Sequence, residues 1–304
     1  MPNSFLYVVT VLIWGSTWLA IKYQLGVVAI EVSIAYRFAL ASLILLAFCL
    51  LTGKKLAFDL KAHIGMASLG AFLFSGNYVF MYWATGYITT GLVSVVFCAM
   101  VVINISLSRL FFKTEITRRG LLGATLGMAG ICLVFWPEVE TFDLSDQGFF
   151  GMMLAFIGTV SASFGNIVSA HNQKKGLPVI QANAWGMAYG TLFMTLAALG
   201  QGHEFTFDSR FEYLCSLLYL SVFGSVLGFG CYLTLLGNIG ADKAVYSVIL
   251  FPLVALSLST YFEDYQWPLA AVVGVPLVLW GNILVLSKPD RMTLMWQKIA
   301  SKRV

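Results

Sequence analysis

Thr10, Trp14 and Thr17 recur at i, i+4 and i+7, a spacing that sets them on one face of a helix. Thr159, Ser163 and Asn166 repeat the same spacing later in the chain. Within long apolar runs such polar groups are costly and mark candidate pathways or binding surfaces. Their hydroxyl, indole and amide groups can hydrogen-bond a small polar solute. They can equally be bonded back to their own helix, as Ser and Thr often are. Asn77, Tyr78, Tyr82 and Tyr232 offer donors beside aromatic faces, and Ser94, Tyr246 and Ser247 add further hydroxyls. Such a set suits a zwitterion or an aromatic solute, which needs hydrogen bonds and an apolar wall together. Tyr and Trp also gather at membrane surfaces, the role expected of Tyr87, Trp136, Trp267 and Trp280.

Charged side chains are scarce among these groups. Arg37 has no acidic partner at helical spacing on its own segment. Two readings stay open for it. It lines a pathway and binds a carboxylate through its paired donors, or it snorkels to the surface and pairs with Glu31 or Glu263. His171 closes an apolar segment and can titrate near neutrality, so Arg37 and His171 are the candidate coupling groups. No Asp or Glu lies in the middle third of any apolar segment, so the buried carboxylate relay of a proton-driven pump is missing. Facilitated movement down a solute gradient fits that absence.

Other chemistries fail for want of residues. The cysteines Cys49, Cys98, Cys132, Cys215 and Cys231 have no metal-ligand spacing and read as small hydrophobes. His203-Glu204-Phe205-Thr206-Phe207 lacks the second histidine of a zinc-protease helix, and no G-x-S-x-G occurs. No enzyme activity, no metal and no cofactor are expected. A channel is disfavoured because no repeated filter loop or charged ring appears.

The elements that must position these residues follow from composition. The chain has 304 residues, 59% hydrophobic and 11% charged. So few charges cannot cover a water-soluble fold, whose charged share is roughly 25%. A net charge of +4 without basic runs excludes nucleic acid as a partner. The expected fold class is an all-α integral membrane protein. Apolar segments cover about 4–21, 31–51, 64–84, 91–112, 119–136, 148–170, 180–199, 213–236, 243–262 and 268–287, each close to the roughly 20 residues a bilayer needs. They predict ten transmembrane helices. Nothing basic precedes the first and no cleavage site follows it, so it reads as a span and not a signal peptide. Of the 18 Lys and Arg, all but Lys22, Arg37 and Arg210 fall on the side holding both termini, which places the N- and C-termini in the cytoplasm.

A shift of about 150 residues brings the halves into weak register. Gly15 meets Gly165, Gly26 meets Gly176, Tyr82 meets Tyr232 and Phe112 meets Phe262. The expected organisation is a first five-helix repeat over 1–136, an external linker over 137–147, a second, inverted repeat over 148–287 and a basic amphipathic tail over 288–304. An odd number of spans per half turns the second half upside down. Inverted repeats are the usual architecture of alternating-access carriers, with the solute near the midplane. Gly123-x-x-x-Gly127, Gly186-x-x-x-Gly190 and Gly224-x-x-x-Gly228 allow close helix approach, and Pro252 and Pro276 should kink spans nine and ten.

Trp14-Gly15-Ser16-Thr17-Trp18 in the first span, Glu31–Phe38 opening the second, and the Lys113-Thr114-Glu115 turn before Gly123–Gly130 resemble the drug/metabolite transporter superfamily, specifically its EamA-like bacterial exporters. The resemblance covers nearly the whole chain. It implies a multi-pass bacterial inner-membrane protein, a monomer or homodimer, whose partners are a small-molecule solute and the lipid bilayer. It also implies export of amino acids, aromatic ones among them, or related metabolites through a central cavity. Drug or cation efflux, and uptake of phosphorylated or sugar-type metabolites, are the alternatives it leaves open. The sequence departs from the pattern where Val102 stands against Pro252 and Tyr265 against Glu115.

Overall fold

The structure is a computed structural model and describes residues 1–24, 26–140, 142, 146–262 and 267–286. The proposed amphipathic tail lies outside the described residues, as do Glu263 and Tyr265. The described residues are helical and contain no strand. In hydrocarbon, backbone N–H and C=O groups must be satisfied within the segment, and a helix does this with its own ladder.

Ten helical rods follow one another among the described residues. They are α1 (Asn3–Lys22), α2 (Ile30–Leu51), α3 (Leu60–Ala84), α4 (Thr90–Cys98 running on into Met100–Phe112), α5 (Arg118–Val134), α6 (Asp146–Lys174), α7 (Val179–Gly200), α8 (Phe211–Ile239), α9 (Ala241–Ala244 running on to Phe262) and α10 (Leu269–Leu286). A single helical turn, Trp136–Glu140, follows α5. Seven of the rods are long and apolar enough to cross a bilayer; α1, α5 and α7 are the others. In α1 the apolar part is Asn3–Thr17, α5 has 17 residues, and α7 carries Gln181 and Asn183 in its buried first half.

Local chemistry sets the ends. Asp59 accepts from the backbone N–H of Ala62 at 3.0 Å and Thr117 from that of Gly120 at 3.0 Å, capping α3 and α5. Lys113 ends α4 with φ 56°, and Gly176 and Gly202 turn the chain after α6 and α7 with φ 83° and 72°. Before α8, Asp208 accepts from Arg210 Nε at 2.8 Å, Arg210 Nη2 at 2.6 Å and the Arg210 backbone N–H at 3.0 Å. Those hydrogen bonds hold its carboxyl below the ordinary carboxylate range.

The two halves are interlocked. Helix α1 packs on α8 and α9, α2 on α7 and α8, α3 on α6 and α7, α4 on α6, and α5 on α10. Exchanging α1–α5 with α6–α10 maps this set of pairings onto itself. Small residues let α5 and α10 approach closely. A Cβ built on Gly130 would lie 2.6 Å from the Gly274 carbonyl oxygen, and one on Gly281 2.7 Å from that of Gly123. The outward faces are apolar: Leu43, Leu50, Leu192, Leu196, Val272, Trp280 and Ile283 are exposed. Such a surface aggregates in water and is at home in hydrocarbon.

Four rods are irregular within their length. Helix α3 widens into a π-helical turn at Phe72–Gly76, and α8 does so at Leu220–Leu227. In both, a serine donates to the carbonyl five residues before it: Ser75 to Gly70 at 2.9 Å and Ser225 to Leu220 at 3.0 Å. Helix α4 is interrupted at Ala99, and α9 tightens into a 3-10 turn over Val245–Leu250 just before Pro252. Val102 of α4 stands where α9 has Pro252, so of this pair a proline marks α9 alone; Ala99 nevertheless interrupts α4 with no proline near it.

Candidate functional site

The polar and aromatic groups meet where α1, α2, α3, α6, α8 and α9 converge. Trp14 of α1 lies at the centre. Its ring is 4.8 Å from Phe229, 5.0 Å from Tyr232 and 5.4 Å from Phe251, and its Nε1–H donates to the Gly224 carbonyl at 2.9 Å. Opening the helix ladder into a π turn makes carbonyls available to side chains, and Trp14 uses one of them.

Arg37 of α2 is 4% exposed. Its Nε–H donates to Ser225 Oγ at 2.9 Å, and its guanidinium lies 5.2 Å from the Tyr78 ring centre and 5.3 Å from that of Phe38. The Gly224-x-x-x-Gly228 pair serves this corner of the site as much as helix packing. A Cβ on Gly224 would stand 3.1 Å from Arg37 Nη2, and one on Gly228 2.5 Å from Trp14 Nε1. The pairing of Arg37 with Glu31 is not found. Glu31 is turned toward the end of the bundle, where Trp83 Nε1 (3.3 Å), Gln201 Nε2 (3.5 Å) and His203 Nε2 (3.5 Å) approach it.

Asn166 of α6 donates to Tyr232 Oη at 2.9 Å and reaches Met100 Sδ at 3.6 Å, while its Oδ1 is buried without a hydrogen-bond partner. Ser163 Oγ and Asn77 Oδ1 are likewise buried without partners. Tyr78 and Tyr82 are partly buried on α3. A cavity of about 10 Å³ reaches Arg37, lined by Gln24, Ile30, Ser33, Ile34, Tyr82 and Leu220. That is room for about one water. A larger cleft, about 470 Å³, lies on the flank between α1, α8 and α9, and none of the candidate binding residues lines it.

Other candidate hydroxyls are bonded to backbone carbonyls, that of Thr17 among them although its methyl borders Gly224 beside Arg37. Thr17 Oγ1 donates to the Trp14 carbonyl at 2.7 Å and Ser247 Oγ to that of Ala244 at 2.8 Å, each within its own helix. Thr10 and Thr159 do the same to Leu6 and Ala155. For these four hydroxyls the back-bonded alternative is the observed one. Tyr246 donates to the Gly120 carbonyl at 2.6 Å and so ties α9 to the start of α5. Ser94 is buried on α4, and His171 is exposed at the end of α6.

Several participants were not singled out from sequence. Ser225 was detectable as the partner of Ser75 at the 150-residue offset. Asn104 and Ser108, at i, i+4 on α4, bury Oδ1 and Oγ without partners, as Asn183 on α7 does both its amide atoms. Tyr7 hydrogen-bonds Asn282 across the bundle, a contact between chain ends that spacing does not reveal.

The geometry agrees with comparison to known proteins. The family model described as "EamA-like transporter family" matches residues 2–136 and 149–287. The chain belongs to the EamA-like transporter family. EamA-like relatives include the "Uncharacterized inner membrane transporter YedA" of Escherichia coli (strain K12), 27% identical over 91% of this chain and 90% of that protein. "Protein PagO" of Salmonella typhimurium is 26% identical over 93% and 92%. A solved crystal structure superposes with a TM-score of 0.79 at 16% identity, covering 93% of this chain and 96% of that one. It supports the fold of this EamA-like chain and carries no statement about cargo.

Proposed function

We propose that this protein is a multi-pass carrier of the inner membrane that exports small organic solutes, amino acids or related metabolites, by alternating access. The observation that carries this reading is the central constellation. Trp14, Arg37, Asn77, Tyr78, Tyr82, Ser163, Asn166 and Tyr232 bring hydrogen-bonding groups and ring faces to the seam between the halves, where a carrier binds its solute. A cavity of about 10 Å³ is far too small for an organic solute. Solute reaches Arg37 only when helices part, and the irregular turns in α3, α4, α8 and α9 are where such bending concentrates.

The reading includes ten spans in two inverted repeats, with both termini in the cytoplasm. It is supported by the two matched stretches of the family, by the helix pairings that survive exchange of the halves, and by the Ser75 and Ser225 turns 150 residues apart. The relatives' names support the inner membrane. Thr17, Ser94, Tyr246, Ser247 and His171 are left out of the proposed solute contacts.

The test is loss of solutes from proteoliposomes loaded with a metabolite mixture, read by mass spectrometry against protein-free liposomes. Selective loss of a few amino acids or related metabolites, inhibited by excess of the same compounds, is expected. Equal loss from both preparations would sink the proposal.

A further inference from the structure

Arg37 brings a formal charge into the central constellation, and among the described residues no carboxylate stands against it. Glu31, earlier on the same helix, faces Trp83, Gln201 and His203 instead. A buried cation without a counterion is costly. Two neutral hydroxyls, those of Ser225 and Tyr78, and two ring faces recover only part of that cost. Ser225 takes Nε and thereby fixes the plane of the guanidinium. The N–H groups that Ser225 and Tyr78 leave over suit the oxygens of a carboxylate. Gly224 lies beside the guanidinium, and a Cβ there would stand 3.1 Å from Nη2. The small cavity that reaches Arg37 has no acidic residue in its lining.

We infer that Arg37 is the carboxylate-reading residue of the transport site, and that the cargo bears one carboxylate on an apolar or aromatic body. The inference rests on the transporter reading above. One cation matches a monoanion, whereas the second charge of a phosphate monoester finds no partner here. A cationic solute without a carboxylate is repelled. The surrounding rings of Phe38, Tyr78, Trp14 and Phe229 suit the apolar body. The unpartnered acceptors Asn77 Oδ1 and Asn166 Oδ1 suit a donor carried by the same solute.

The experiment loads proteoliposomes of the full chain with equal amounts of 3-phenylpropionate, L-phenylalanine, L-phenylalaninamide and phenethylamine. Loss of each is read by mass spectrometry against protein-free liposomes. The two carboxylates are expected to leave faster than the protein-free rate, and the amide and the amine at that rate. Arg37→Gln should cut carboxylate loss on the order of 10-fold or more, with Arg37→Lys in between because it keeps charge without the fork. Wild-type protein that moves the amide as fast as phenylalanine overturns the inference. So does a folded Arg37→Gln protein that keeps the preference. The wild-type comparison of phenylalanine with its amide decides the matter even where the variant does not fold. If none of the four moves, the solutes released from the metabolite mixture decide. Carboxylates support the inference, solutes without a carboxylate overturn it while transport stands, and no protein-dependent release overturns both.

Discussion

At the residue scale, the constellation separates side chains with polar atoms left to offer from those already satisfied within their own helix. Asn166 bridges α6 to Tyr232 and leaves Oδ1 unpartnered. Ser247 and Thr17 spend their hydroxyl hydrogens on carbonyls within a turn of themselves. Asn166→Ala and Tyr232→Phe are therefore expected to abolish or strongly reduce solute loss from proteoliposomes. Each leaves a buried partner unsatisfied, at a stability cost of about 1–3 kcal/mol. Thr17→Val and Ser247→Ala should stay within about 1 kcal/mol of wild type in detergent unfolding and keep transporting. If Ser247→Ala damages transport as much as Asn166→Ala, the division drawn between these groups is wrong. Trp14→Phe keeps a ring among Phe229, Tyr232 and Phe251 but leaves the Gly224 carbonyl without its donor. It tests the donation apart from the packing.

At the element scale, the paired π turns of α3 and α8 are built alike but loaded differently. Ser75 caps the Gly70 and Ala71 carbonyls, at 2.9 Å each, and has no further task among its hydrogen bonds. Ser225 caps Leu220 and also accepts from Arg37. Ser75→Ala should cost about 1 kcal/mol of stability. Ser225→Ala should cost more, and should lower transport more than Ser75→Ala does, because it frees the guanidinium plane. Equal transport by the two variants would contradict the role given to Ser225. Helices α5 and α10 present a different dependence. Gly130 and Gly274 meet backbone to backbone, so a methyl at Gly130 would press on the Gly274 carbonyl at 2.6 Å, Val278 Cγ2 at 2.7 Å and the Val278 backbone N at 2.8 Å. Gly130→Ala is expected to lower stability by about 1–3 kcal/mol through overpacking, read as a lowered unfolding midpoint in detergent. The sequence marked Gly123, Gly127, Gly186 and Gly190 as close-approach residues. It did not distinguish them from Gly224 and Gly228, which make room for Arg37 and Trp14.

At the scale of the whole molecule, the proposed topology is checked by fusions. A fluorescent reporter at either terminus should mature in the cytoplasm, and alkaline phosphatase inserted near 201–210 should be active outside. The opposite pattern would invert the assignment of sides. No Asp or Glu lies in the middle third of any of the apolar segments read from sequence, and His171 is exposed at a helix end. Solute loss is therefore expected to be the same with and without a pH gradient across the proteoliposome. A clear gradient dependence would require a coupling group not identified among the spans.

Much of this architecture was legible because hydrocarbon imposes a simple code. A run of about 20 apolar residues is a helix, and each of the ten segments read from sequence has a helical rod at its place, with ends a few residues off. Local spacing also exposed Trp14, Asn166 and Tyr232, since a polar group in an apolar run stands out against its background. What local spacing could not carry was partnership across the bundle. Only the folded chain set Arg37 against Ser225 and turned Glu31 toward His203, because both pairings join segments more than a hundred residues apart. The same holds for the hydroxyls. From sequence, Thr17 and Ser163 are equally exposed candidates on a polar face. The fold bonds Thr17 Oγ1 to its own backbone and buries Ser163 Oγ with no partner, a difference set by rotamer and neighbour and not by residue type.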